Sequence, residues 1–182
     1  MPNANTFSTP ELKPRELNQG GTSTSATVFS SDGTNPIFLP LPVAGTLGGP
    51  TPQPGSRFTV RAWGRVTTAG TYNFTVFLQY GTSITAASNS DISNSGTVSL
   101  ASLTTNWLIE AELVWDGTSN RLNGYQRNQV HTTLEATAAI DNAQTSVDPD
   151  AGTTRGFVCG ATFGTGAAGN LAYLDGFQID II

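Results

Sequence analysis

Thr71-Tyr72-Asn73-Phe74-Thr75-Val76-Phe77-Leu78-Gln79-Tyr80 sets Tyr72, Phe74, Val76, Leu78 and Tyr80 on one side of an extended chain. Thr71, Asn73, Thr75 and Gln79 fall on the other, with Phe77 the one exception. Successive strand side chains point to opposite faces, so period two held over this length predicts a half-buried β-strand. The same period recurs on either side of it. In Arg57 to Val66, Phe58, Val60, Ala62, Gly64 and Val66 oppose Arg57, Thr59, Arg61, Trp63 and Arg65. In Trp107 to Asp116, Trp107, Ile109, Ala111, Leu113 and Trp115 oppose Leu108, Glu110, Glu112, Val114 and Asp116. The last stretch, Leu171 to Ile182, changes phase at Asp175-Gly176 and resumes as Phe177, Ile179 and Ile181; a glycine beside a phase change predicts a β-bulge.

Shorter segments fill the intervals. Ala26 to Ser30 and Ile37 to Leu41 read as strands around Ser31-Asp32-Gly33, and Gly45 to Gly55 as a Pro/Gly loop. Thr67-Thr68-Ala69-Gly70 reads as a hairpin joining the strands at Arg57 and Thr71. Ser83 to Ala87 and Thr97 to Leu100 flank a Ser/Asn-rich loop over Asn89 to Asn94. Asp116-Gly117 turns the chain toward Leu122 to Val130, and Thr132 to Ile140 is extended despite the helix formers that begin at Leu134. Arg155 to Phe163 is expected to pair with the final strand across Gly164 to Gly169. About nine or ten strands separated by turn signals predict an all-β fold, a two-sheet antiparallel sandwich of jelly-roll-like type spanning residues 26–182. Residues 1–25 show neither period. Pro2, Pro10, Pro14 and Gly20-Gly21 with isolated anchors Phe7, Leu12 and Leu17 predict an extended N-terminal arm that packs on its own domain or on a neighbouring subunit.

A chain of 182 residues is the size of one domain, and a core of that size buries roughly 70% of the unfolded surface without a disulfide or metal staple. Charged residues make up 12% of the chain, about half the usual share. A surface so poor in charge and rich in threonine favours a subunit of an assembly. With 8 basic against 13 acidic residues and a net charge of -5, a nucleic-acid role is disfavoured, because phosphate binding needs clustered cations. No apolar run approaches the roughly 20 residues of a membrane helix, and residues 1–6 carry no signal-peptide pattern, so a soluble protein made in a cytoplasm is expected. The lone Cys159, in phase with Phe157, Ala161 and Phe163, reads as a small core residue.

Chemistry-bearing side chains are scarce. His131 is the sole imidazole, and no motif supplies it with a serine and an acid, so a surface or interface role is favoured. Glu110 and Glu112 share a strand face as the carboxylates of some sandwich glycosidases do, but Arg57, Arg61 and Arg65 are available to pair with them. Asp148-Pro149-Asp150 lacks a third close acid for calcium, and Gly164 to Gly169 has no lysine after it and opens no helix, so it is no phosphate loop. No catalytic residue, metal site or cofactor is assigned. Trp63, out of phase with the core and sharing its face with arginines, reads as a ring stacked under a guanidinium, serving as a protein contact or, alternatively, a sugar platform. Phe7, Leu12, Leu17 and Trp63 are therefore the candidate contact residues.

The run Arg57-Phe58-Thr59-Val60-Arg61-Ala62-Trp63-Gly64-Arg65-Val66-Thr67-Thr68-Ala69-Gly70-Thr71, with Trp107-Leu108-Ile109-Glu110-Ala111-Glu112-Leu113 and Leu174-Asp175-Gly176-Phe177-Gln178-Ile179-Asp180-Ile181, resembles the small β-sandwich structural proteins of tailed bacteriophages. Among these it is most similar to the capsid decoration, or cement, proteins. The resemblance covers residues 57–182 and lies in style and strand order. It implies a non-enzymatic, jelly-roll-like virion protein that forms a homotrimer on the outside of an icosahedral head and bridges major capsid protein subunits, with the arm reaching across capsomers. The alternative is a receptor- or carbohydrate-binding module of a head or tail fibre.

Overall fold

The structure, a computed structural model, describes residues 7–8, 19–20, 25–30, 36–41, 52–86, 89–118, 121–131, 133–141 and 155–181. Its strands are β1 (Phe7–Ser8), β2 (Gln19–Gly20), β3 (Thr27–Val28), β4 (Phe38–Pro40), β5 (Arg57–Thr67), β6 (Tyr72–Gly81), β7 (Ser90–Asn94), β8 (Val98–Leu100), β9 (Thr104–Asp116), β10 (Arg121–Val130), β11 (Thr133–Asp141), β12 (Gly156–Phe163) and β13 (Leu171–Ile181). All pairing is antiparallel, in two sheets. The larger runs β1-β13-β5-β9-β10-β11, with β2 also on β13; the smaller runs β3-β12-β6-β7, with β4 also on β12 and β8 on β6. The chain passes repeatedly from one sheet to the other, and its first strands lie beside its last, in a two-sheet β-sandwich.

The alternation read from the sequence sorts the faces. Phe58, Val60, Ala62 and Val66 of β5, Trp107 to Trp115 of β9 and Phe177 to Ile181 of β13 face Phe74, Val76, Leu78 and Tyr80 of β6 and Phe157, Cys159, Ala161 and Phe163 of β12 across one core. Phe29, beside β3 in the smaller sheet, stacks on Trp107 of the larger at 5.6 Å between ring centroids. Phe77, the exception to the pattern, points away from this core yet is buried, its ring lying over Gly160, its register partner on β12.

Two expected hairpins are overturned. β5 and β6 lie in different sheets, as do β12 and β13, so Thr67 to Gly70 and Gly164 to Gly169 are crossings rather than hairpin turns. Strands on opposite walls of a sandwich present their apolar phase to the same core, so alternation with a short Gly-containing loop suits a crossing as well as a hairpin. The crossings are held by their own bonds: Thr68 donates from its hydroxyl to Ala101 O at 3.0 Å, and its amide donates to Leu103 O at 2.9 Å. Asn170, fully buried, accepts from Ala69 N at 3.1 Å and donates from Nδ2 to Thr165 O at 3.1 Å, joining the two crossings. A third correction falls at residues 89–94: the expected loop is largely strand β7, while Ser83 to Thr85, expected as strand, form a bend in which Asn89 accepts from Ser83 N.

Candidate interaction site on the arm and its sheet edge

Arm and final strand meet at the edge of the larger sheet. Phe7 and Ser8 register with Ile181 and Asp180, and Gln19 and Gly20 with Ala172 and Leu171. Both ends of the arm thus lie on this chain's own β13, running antiparallel to it and covering part of an edge that would otherwise offer free backbone groups. Leu12 and Leu17 lie outside the described residues, between these two ladders. The side chain of Phe7 is likewise not described.

The bulge expected from the phase change is present: the register of β13 on β5 shifts between Leu174 and Gly176. It lets Leu174 and Phe177 both face the core and leaves Asp175 on the outside. Arg65 of β5 meets that carboxylate with two bonds, Nε to Oδ2 and Nη2 to Oδ1, both 2.9 Å. The Arg65 guanidinium also sits 5.0 Å from the Tyr173 ring centroid. The cation therefore stacks on Tyr173, and the expected stacking of Trp63 under a guanidinium gives way to a different contact. Trp63 registers with Gly176, and its indole occupies the space a Cβ there would fill. It is half-buried, closed over the bulge. Of the four contact candidates, Phe7 of β1 and Trp63 of β5 thus lie on strands that flank β13 from opposite sides.

The remaining chemistry-bearing residues stand apart. Arg61 and Glu110 form an ion pair across β5 and β9, as the paired reading of the glutamates expected. His131 is exposed in the left-handed region, φ 57°, at the first of two residues between β10 and β11. Tight hairpin loops of that length require this conformation, and Thr105 Oγ1 lies 2.9 Å from its Nδ1. Cys159 is buried, and desolvation raises its thiol pKa well above the usual value, a bond from the Gly160 backbone offsetting part of the rise. Among the described residues no three His, Cys, Asp or Glu side chains gather as a metal site, and Asp148 and Asp150 lie outside those residues. No helix among them is long and apolar enough to cross a membrane.

The sequence does not single out Tyr125, which at 62% is the most exposed aromatic among the described residues. In β10 the inward positions Gln126 and Asn128 are polar, so no apolar phase shows which way Tyr125 points. Comparison with protein-family models, curated proteins and solved structures returns no match to this chain.

Proposed function

We propose that the chain is a non-enzymatic virion protein that binds the outside of a capsid as a homotrimer and stabilises it by bridging major capsid protein subunits. The arm and the β13 edge are the attachment site. The observation that supports this reading is that both described ladders of the arm lie along β13, whose other side carries Trp63 and the Arg65–Asp175 pair. Such a site combines Trp, Tyr and Arg, the residues that dominate protein contacts. A protein that binds only the assembled lattice stabilises it by mass action. Mass in solution and copy number on purified virions test the reading. A trimer at hundreds of copies per particle is the expected result; a few copies or none overturns it.

A further inference from the structure

A second surface lies on the same sheet, away from the arm. On the outer side of β9 and β10 a groove of about 280 Å³ is lined by Glu110, Glu112, Tyr125, Gln126 and Arg127, just below the usual range for small-ligand clefts. Tyr125, 62% exposed, lines it, and Val114, 40% exposed, lies diagonally across the strand pair from Tyr125. Glu112 is the direct cross-strand partner of Tyr125, and Arg127 that of Glu110.

We infer that this groove binds a neutral pyranose of an oligosaccharide, stacked on Tyr125 and hydrogen-bonded by Glu112 and Arg127. A sugar ring has an apolar C–H face that suits an exposed aromatic plane, and a rim of hydroxyls that both donate and accept. Glu112 supplies acceptors alone and Arg127 donors alone, so together they match a hydroxyl rim in both senses. Their charges oppose one another, and Glu110 is already paired with Arg61, which leaves the groove close to neutral and favours an uncharged ligand over a uronic acid or an amino sugar. A protein partner fits less well. Contact hot spots sit in dry, densely packed centres, whereas here one ring stands among charges whose desolvation would oppose a dry contact. The groove lies on β9 and β10, two and three strands from β13, about 10–14 Å at usual strand spacing, and the inference does not depend on the capsid reading.

The test uses the full chain with maltotriose, cellotriose, lactose and chitotriose as probes, read by saturation-transfer NMR. At least one probe is expected to bind in the millimolar range with transfer strongest at ring C–H protons. Tyr125→Ala weakens that binding by about tenfold, Tyr125→Phe retains it, Glu112→Gln weakens it, and Trp63→Ala leaves it unchanged. Tyr125 is exposed, so the variants fold, and circular dichroism checks this. Absence of binding by all four probes to the intact protein overturns the inference, as does equal binding by Tyr125→Ala. Loss of capsid attachment in Tyr125→Ala without any sugar signal assigns the groove to a protein contact and overturns it too.

Discussion

Asn170 has no solvent exposure and no apolar role. Its amide oxygen and nitrogen, with its backbone donating to Ala167 O at 3.0 Å, satisfy three groups of two loops that cross between the sheets. Removing one partner of a buried hydrogen bond costs about 1–3 kcal/mol. Asn170→Ala should therefore lower Tm by about 4–8 °C, taking about 2 kcal/mol on a domain of this size, in a thermal melt followed by circular dichroism. Two glycines act by a different rule. Gly160 and Gly176 lie directly opposite Phe77 and Trp63, whose rings cover the bare backbone, a pairing that compensates for a missing side chain in a sheet. A methyl at either site displaces the ring, so Gly176→Ala should cost about 1–3 kcal/mol as overpacking, and the indole fluorescence should shift as Trp63 becomes more exposed. Cys159 adds a pH dependence. Its folded pKa is raised by burial, so the thiol stays protonated in the fold while the unfolded chain ionises from the usual value of 9.0 upward. The unfolded state then binds fewer protons, and stability falls as pH rises through that value. Cys159→Ala should remove this part of the alkaline slope in denaturant titrations at pH 8 to 10.

At the scale of the elements, alternation told which side chains face inward but not which strand lies beside which. Phe58, Phe74, Trp107 and Phe177 were legible as core because each sits in a run of period two, and the bulge was legible because Asp175-Gly176 breaks that period beside a glycine. The two false hairpins share one cause: a loop of four to six residues spans neighbouring strands of one sheet or opposite strands of two. β7 escaped notice because a register shift buries Ile92 and Ser93 side by side and breaks its alternation, and Ser93 is polar, its partners being Gln126 and Asn128 of β10. Ser93 Oγ lies 2.8 Å from Gln126 Oε1 and 2.9 Å from Asn128 Oδ1, while Asn128 Nδ2 donates to Asn94 O at 2.9 Å. This buried network clasps the edge of the smaller sheet to the larger. Asn128→Ala should release it locally: amide hydrogen exchange over residues 90–94 accelerates while β5, β9 and β13 keep their protection, since local opening follows the loss of local bonds. Equal acceleration throughout would show that the clasp governs the whole sandwich.

Across the whole molecule charge is distributed unequally. Arg57, Arg61, Arg65, Arg121 and Arg127 project from the outer side of the larger sheet together with Glu110, Glu112, Asp116, Asp175 and Asp180. On the smaller sheet's strands the charge described is Asp91, bonded to Gln79 at 2.8 Å. Exposed pairs such as Arg65–Asp175 contribute about 1 kcal/mol or less each and weaken in salt, so the fold rests on the core between the sheets, where the apolar residues lie. The described part of the arm is small beside the sandwich: β1 and β2 each add two register pairs along β13. Folding and attachment are therefore separable. A chain lacking residues 1–25 should fold into the same sandwich with Tm within several degrees of the intact protein, and should fail to attach to purified heads. The proposed attachment through Phe7, Leu12 and Leu17 would be apolar, so on that reading the intact protein should stay bound as salt is raised to 1 M, where contacts between exposed charges are screened within about 3 Å. Release of the intact protein by salt would move the attachment site from the arm to the charged outer face, and equal attachment by the shortened chain would remove the arm from it altogether.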